Sequence, residues 1–231
     1  MMFESEFIKG LFQNAIFFLD EAISYINRGV SDRRNMILAI INMQISMELA
    51  LKSSLATNFG LRTILVEKQA NLSEKELQRL YEENNLKIKE YDSLKNFLKT
   101  PQGNIEAYNF EKPQYKYMER FQKYRNRILH SSYVFSNDEI QQMESDLIYV
   151  LIHILGVILS DRTDEEYRTF VQEYLNSREY SKLLKNSVYN KELQIFLQEE
   201  YDKLYMCPIC GANTLTPVSY THLTLPTILR V

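Results

Sequence analysis

The residues best suited to chemistry are Arg125, Asn126 and His130, which lie together between two long segments of helical periodicity. A guanidinium can bind two phosphate oxygens in a fork, and an imidazole can take or give a proton near pH 7. On a helix Asn126 and His130 share one face, and Tyr133 continues that face if the helix extends so far. Arg125 can reach the same place from the neighbouring strip. This set of residues suits a phosphodiester substrate.

The segment from about residue 114 to 131 interleaves basic and aromatic side chains more densely than the rest of the chain. Such a mixture can bind phosphates and stack bases. The alternative is that its tyrosines pack inward while its cations form a solvated face. We predict Lys123, Arg127 and Tyr133 as substrate-binding or supporting residues.

Glu48 lies in the middle of an apolar segment, four residues before Lys52. One interpretation is an ordinary i, i+4 ion pair, which contributes about 0.2–0.5 kcal/mol. The other is that Glu48 faces the Arg125–His130 segment and orients Arg125 or His130.

The composition predicts an all-α fold, because glycine and proline are scarce, with 6 and 5 of 231 residues. Apolar periodicity predicts helices over about residues 3–27 and 31–59, with Ser31 as the second helix's cap. Ser73 and Ser136 begin capping boxes, and a further helix is expected around residues 86–99. Residues 60–113 form either a lid over a cleft or a solvated excursion. We expect an up-down helical bundle with a C-terminal helical extension.

Charge and hydropathy restrict the possible partners. The formal net charge of −3 gives no global attraction for nucleic acid, so any RNA contact needs a local basic patch. No apolar run reaches the length of a membrane span, and the N-terminus lacks a basic segment followed by an apolar core. We therefore expect a cytoplasmic protein without a membrane partner.

The C-terminal part contains the two cysteines, Cys207 and Cys210, in a Cys-x-x-Cys spacing. This pair resembles the first knuckle of a zinc ribbon, in which two thiolates bind one side of a tetrahedral zinc. It is a half-site only, because His222 is the one further candidate ligand. A structural zinc is expected only if the ribbon is completed. Residues from about 217 onward resemble a read-through peptide from a sequencing adapter, and we expect them not to be native.

His153 lies in a long apolar run, without a set of chemical partners near it in the sequence. We interpret it as a structural or partly exposed histidine. The predicted organisation is a bundle over residues 1–160, a helical extension over 161–205, an incomplete zinc knuckle over 206–216 and a non-native tail over 217–231.

Arg125-Asn126-x-x-x-His130, near the end of a helix in an all-helical chain, resembles the signature of HEPN (higher eukaryotes and prokaryotes nucleotide-binding) domains. Glu48-x-x-x-Lys52 resembles an upstream helix of many such domains, and the likeness covers about residues 3–160. The resemblance implies a helical bundle that forms a homodimer, with two motifs facing one cleft. It also implies a defence or toxin–antitoxin setting, including phage defence, with an antitoxin or a nucleotidyltransferase as possible partner.

The function implied by this resemblance is a metal-independent endoribonuclease, since many HEPN domains cleave RNA and others only bind. In that hypothesis His130 is the general base or acid and Arg125 holds the phosphate. Asn126 positions the imidazole or the phosphate. No cofactor is expected for catalysis. One alternative is a non-catalytic nucleotide- or RNA-binding or dimerising module. Another is a purely structural role, in which Arg125 and His130 only stabilise the end of a helix.

Overall fold

Most of the described part of the chain is helical, so the predicted helical bundle is confirmed. The computed structural model describes residues 2–108, 110–130, 135–160, 177–201, 204–206 and 213–215. The helices are α1 (Met2–Asn27), α2 (Arg33–Phe59), α3 (Glu67–Ala70), α4 (Glu74–Glu82), α5 (Tyr91–Leu98), α6 (Lys112–His130), α7 (Asn137–Tyr149), α8 (Val157–Ser160), α9 (Ser177–Leu183) and α10 (Ser187–Glu200). Short 3₁₀ turns occupy Leu61–Ile64 and Glu106–Tyr108.

A tight turn joins α1 and α2 into an antiparallel hairpin. The prediction that Ser31 caps α2 is wrong, because the cap is Asp32, whose carboxylate accepts from the backbone N–H groups of Arg34 and Asn35. The positive end of the helix dipole also stabilises a negatively charged carboxylate at this position. Helix α2 ends before Gly60, which has the positive φ of 86° that glycine adopts readily.

The interface of α1 and α2 is apolar with two buried hydroxyls. Ser46 donates to the carbonyl of Ala15 at 2.7 Å, and Ser53 donates to that of Ile8 at 3.2 Å. These bonds satisfy the hydroxyls, and the small serine side chains let the two helices lie close together. The largest fully buried side chains of the hairpin include Phe12, Ile16, Leu19, Ile23, Met36, Ile40, Met43, Met47, Leu51 and Leu55.

Residues 60–113 form short helices joined by extended backbone. Helix α4 begins with the predicted capping box, in which Ser73 and Glu76 hydrogen-bond to each other. The predicted helix over 86–99 is shorter, since α5 begins only at Tyr91. The residues before it are extended because Ile88 pairs with Leu65 in an antiparallel bridge.

The long helix that follows α6 is continuous but changes from α-helical to π-helical winding and back. The predicted capping box at Ser136 and Glu139 is confirmed at the start of α7. Helix α7 passes directly into a π-helical segment, Val150–Gly156, which is buried throughout and continues as α8. This long helix packs against α2 and against α6, the helix that carries Arg125, Asn126 and His130.

The C-terminal helices extend the bundle. Helix α9 packs on α1 and α10 packs on α7, and their buried residues belong to the same core. Beyond them Tyr205–Met206 pairs antiparallel with Asn213–Leu215. Residues 161–176 of the predicted helical extension, both cysteines and the tail over 217–231 lie outside the described residues.

Two helices do have the length and hydropathy of a membrane span, so that part of the sequence analysis is corrected. They are α2 and the continuous helix Asn137–Leu159. Within the most apolar windows of these helices, 56% and 72% of the residues are buried by the rest of the fold. Because core helices of soluble proteins show the same pattern, this is weak support for a membrane span. The cytoplasmic location stays a prediction.

Candidate functional site

A cleft of about 400 Å³ lies where α2, α5 and α6 meet. Each helix contributes residues one turn apart, or consecutive residues at its start, so each presents one face to the cleft. The lining residues are Gln44 and Glu48 from α2, Glu90, Tyr91 and Asp92 around the start of α5, and Gln122, Arg125 and Asn126 from α6. A cavity of this size can hold a small ligand such as a nucleotide.

Two of the three predicted catalytic residues, Arg125 and Asn126, line this cleft. The Arg125 guanidinium donates to the side-chain oxygen of Asn126 at 3.1 Å, and the arginine is partly exposed. His130 is the last residue of α6 and is exposed, but it is not among the residues that line the cleft. It lies one helical turn beyond Asn126 on the same face.

Glu48 forms the ion pair of the first interpretation, and its role in orienting Arg125 or His130 stays a prediction. Its carboxylate accepts from the Lys52 ammonium at 2.5 Å, as an i, i+4 pair. It also lines the cleft that contains Arg125. The Glu48 side chain is 30% exposed and that of Lys52 is 12% exposed, so the pair is partly shielded from solvent.

A hydrogen-bonded group joins the start of α5 to α6 at the edge of the cleft. The Lys95 ammonium donates to Asp92 at 2.9 Å and to the Gln122 side-chain oxygen at 3.1 Å. The amide nitrogen of Gln122 in turn donates to Asp92 at 2.9 Å. The hydrogen bonds from Lys95 and then Gln122 hold the pKa of the Asp92 carboxyl below its ordinary value. Residues 60–113 therefore supply one wall of the cleft.

Two buried polar groups in the cleft lack hydrogen-bond partners among the described residues. They are the side-chain oxygen of Gln44 and the hydroxyl of Tyr91. As whole residues, Gln44 is 2% exposed and Tyr91 is 4% exposed. Burial raises the pKa of the Tyr91 hydroxyl far above its usual range, and the charges of Glu48 and Asp92 raise it further. The hydroxyl therefore stays protonated and can donate a hydrogen bond.

The cleft is close to electrically neutral despite its acidic residues. Its carboxylates are Glu48, Glu90 and Asp92, and two of them are paired with the lysines described above. Glu90 is exposed and has no ion-pair partner in the described part of the chain. Since Arg125 offsets this remaining charge, an anionic group beside Arg125 meets no strong net repulsion.

The predicted supporting residues occupy different positions. Lys123 is exposed on α6. Arg127 donates to Glu139 at 3.0 Å and its guanidinium lies 5.1 Å from the ring centre of Phe135, so it joins α6 to the start of α7. Tyr133 lies outside the described residues.

A fully buried carboxylate, Asp146 of α7, holds α6 in place from the other side. It accepts from Arg120 at 2.9 Å, from the Tyr124 hydroxyl at 2.7 Å and from Gln142 at 2.8 Å. The hydrogen bond to Asp146 raises the pKa of Arg120. Because Tyr124 directly precedes Arg125 and Arg120 lies five residues before it, this network fixes the part of α6 that carries Arg125.

His153 has partners on another helix that the sequence analysis did not predict. Its Nε2 lies 2.8 Å from a Glu192 carboxylate oxygen, and its ring stacks on Tyr149 with centroids 4.2 Å apart. Phe196 contacts the imidazole edge to face at 5.1 Å. Because Glu192 and Phe196 come from α10, neighbours in the sequence gave no sign of them. The histidine is buried, as expected of a structural residue.

Sequence reasoning missed most of the cleft lining, above all Gln44 and Tyr91. One signal was available for Gln44, because it lies four residues before Glu48 on an otherwise apolar helix. The zinc half-site cannot be described, since Cys207 and Cys210 lie outside the described residues. Within those residues, no cluster of three or more His, Cys, Asp or Glu side chains has metal-binding geometry.

No protein-family model matches the chain, and comparisons with curated proteins and with solved structures found no significant match. The likeness to HEPN domains therefore depends on Arg125, Asn126, His130 and the Glu48–Lys52 pair. It stays a prediction.

Proposed function

We propose that this protein is a metal-independent endoribonuclease of the HEPN type. His130 acts as general base or acid in the attack of a ribose 2′-hydroxyl on the adjacent phosphate. Arg125 binds the phosphate oxygens as negative charge develops on them, and Asn126 positions the phosphate or the imidazole. The products are a 2′,3′-cyclic phosphate and a 5′-hydroxyl. DNA, which lacks the 2′-hydroxyl, is not cleaved.

The observation that carries this proposal is the position of Arg125 and Asn126 in one cleft with Glu48, one turn before the exposed His130. An exposed imidazole is accessible to a polynucleotide, whereas the buried His153 is engaged with Glu192. A partly exposed arginine in a nearly neutral cleft can accept a phosphate without first breaking an ion pair.

The proposal includes a homodimer for a chemical reason. One imidazole cannot easily remove a proton and donate another in the same step, so a second His130 facing the same groove would complete the site. Leu129, beside His130, is 48% exposed, which is compatible with a surface that another chain covers. An antitoxin or a nucleotidyltransferase partner in a defence system stays a prediction from the resemblance.

The second candidate is a non-catalytic nucleotide- or RNA-binding module. It is favoured by the fact that His130 does not line the cleft that contains Arg125. In that case the cleft binds a nucleotide and the imidazole has no role in catalysis.

The test is incubation of fluorescent single-stranded RNA and its DNA counterpart with the protein in the presence of EDTA. We expect RNA cleavage with cyclic-phosphate ends and intact DNA. Alanine substitution of His130 or of Arg125 should lower the cleavage rate about 100-fold or more, the usual loss when a group that stabilises the transition state is removed.

The matched control is Arg79→Ala, which removes an exposed arginine on α4 that does not line the cleft. This variant should cut like the parent, and all variants should retain the helical circular dichroism spectrum. RNA retention without cleavage supports the binding module. Cleavage by His130→Ala at the parental rate would falsify the proposed mechanism.

A further inference from the structure

Helix α6 carries a concentration of positive charge in a chain that is acidic overall. It contains six lysines and arginines and a single carboxylate, Glu119, whereas the whole chain has a formal net charge of −3. Charge gathered on one element in this way gives a local positive potential that the net charge conceals. Any contact with RNA needs such a local patch, because the protein as a whole does not attract nucleic acid.

Three of these cations are already engaged elsewhere. Arg120 pairs with the buried carboxylate of Asp146 at 2.9 Å, and Arg127 pairs with Glu139 at 3.0 Å. Both ion pairs join α6 to α7, so these two guanidinium groups belong to the packing between the helices. Arg125 lines the cleft. The remaining cations of α6 are three lysines.

These lysines, Lys112, Lys116 and Lys123, form a surface that we call the basic face of α6. All three are exposed, and the ion pairs that α6 forms in the described part of the chain involve its other charged residues. The lysines lie four and seven residues apart, and His130 follows after a further seven, so all four side chains share one side of the helix. From Lys112 to His130 this side is about 27 Å long.

The one acidic residue of α6 does not cancel this charge. Glu119 lies between Lys116 and Lys123 and is paired with Lys99 of α5 at 3.1 Å. The hydrogen bond from Lys99 lowers the pKa of the Glu119 carboxyl. The positive charges of Lys95 and Lys123 lower this pKa further. The carboxylate therefore lies in a positive potential, to which both α5 and α6 contribute.

The composition of the basic face indicates what it binds. Leu129, the large apolar residue that α6 exposes, lies off this side of the helix, so the face lacks the apolar residues with which a helix binds a lipid surface. A row of cations instead complements the regularly spaced charges of a nucleic-acid backbone. Asn126 is exposed at the edge of the face and also lines the cleft. A strand on the face therefore reaches the residues proposed for catalysis.

We propose that a single strand of RNA lies along the basic face, with successive phosphates on Lys112, Lys116 and Lys123 and the bond to be cleaved at His130. This inference rests on the proposed function as an RNA-cleaving enzyme. The three lysines contact phosphates away from the reacting one, so they contribute affinity and no base specificity. RNA that extends for several nucleotides from the cleaved bond is then bound more tightly than a dinucleotide.

The test is the salt dependence of binding to a fluorescent 2′-O-methyl oligonucleotide, which lacks the 2′-hydroxyl nucleophile and therefore stays intact. Fluorescence anisotropy measures the affinity of the full chain between about 50 and 200 mM salt. For single strands the slope of log affinity against log salt concentration changes by about 0.7 per phosphate contact. Replacing Lys112, Lys116 and Lys123 together by glutamine should make this slope less steep by about 2 and weaken binding about tenfold at the lowest salt.

The matched control replaces Lys68, Lys75 and Lys87 by glutamine. These lysines are exposed on α3, α4 and the segment between α4 and α5, and their removal changes the net charge by the same amount. The control should keep the parental slope, and both variants should keep the parental circular dichroism spectrum.

Three results overturn the proposal. They are a parental slope in the basic-face variant, an equal change of slope in the control, and a parent protein that does not bind the oligonucleotide. Displacement of the oligonucleotide by polyglutamate at equal charge concentration indicates an acidic protein partner instead and also overturns it.

The outcomes separate this surface from the nuclease proposal. Binding that depends on the three lysines, without cleavage of ordinary RNA, retains the surface as an RNA-binding site and removes the nuclease. Cleavage by the basic-face variant with the parental KM retains the nuclease and removes the surface. If both proposals hold, this variant should raise KM with little change in kcat, because it removes binding that the ground state and the transition state share.

Discussion

Helix α6 borders two polar regions, which differ in how their buried hydrogen-bonding groups are satisfied. On the side that faces α7, the buried carboxylate of Asp146 accepts from Arg120, Tyr124 and Gln142. In the cleft, by contrast, the oxygen of Gln44 and a tyrosine hydroxyl are buried without partners in the described part of the chain. A satisfied buried network stabilises the fold, whereas a buried polar group without a partner costs stability.

The same contrast applies to two arginines only five residues apart on α6. Arg120 is committed to a fully buried carboxylate, and its charge is part of the packing between α6 and α7. Arg125 donates only to its neighbour Asn126 among the described residues, and it lines an open cleft. Residue type therefore does not distinguish an arginine that is committed to packing from one that stays accessible in a cleft, but the hydrogen-bond partners do.

Removal of the buried carboxylate should have the largest effect on stability. Asp146→Ala leaves Tyr124 buried without its partner and Arg120 without its counter-ion, so the free energy of unfolding should fall by about 2–3 kcal/mol. Urea denaturation followed by circular dichroism measures this loss. Tyr124→Phe removes one donor only and should cost about 1 kcal/mol. If Asp146→Ala unfolds like the parent, the network has no role in stability.

The opposite effect on the free energy of unfolding is expected when the unsatisfied side chain of Gln44 is replaced. Gln44→Met replaces a buried, unpaired amide by an apolar side chain of similar volume, so the free energy of unfolding should be unchanged or rise by up to about 1 kcal/mol. The matched control is Gln142→Met, which loses a hydrogen bond to Asp146 and should cost about 0.5–1 kcal/mol. A clear loss of stability in Gln44→Met would indicate that the Gln44 amide has a structural partner.

The smallest expected effect is the pH dependence of the Asp92 group. Lys95 and Gln122 lower the pKa of this carboxyl in the folded state, from an ordinary value of 3.8. Its contribution to stability is therefore present above that value and is lost as the pH falls through the folded-state pKa. The Asp92 side chain is 58% exposed, so the contribution should be about 0.2–1 kcal/mol.

Urea denaturation of the parent and of Asp92→Asn between pH 6 and pH 3 measures this contribution. The difference in free energy of unfolding should shrink on acidification, and Lys95→Met should remove most of the difference. A difference that grows toward low pH would contradict the sign of the pKa shift.

Local signals were sufficient to predict much of the fold. Helical periodicity predicted α1 and α2 with nearly correct ends, and the capping boxes at Ser73 and Ser136 predicted where α4 and α7 begin. Errors occurred where a nonlocal contact decides the backbone, as at Ile88, whose pairing with Leu65 keeps residues before α5 extended. For the site, the sequence predicted a grouping of Arg125, Asn126 and His130, of which Arg125 and Asn126 line one cleft and His130 does not.

The sequence by itself determined which residues share a helix face, because the period of 3.6 residues depends only on local backbone geometry. That is why Asn126 and His130 could be placed together, and why Glu48 and Lys52 could be paired. Only the tertiary structure decided that Gln44 and Tyr91 line the cleft of Arg125, and that Asp146 holds Arg120. These contacts join residues from different helices, and their partners follow from how the helices pack rather than from spacing along the chain.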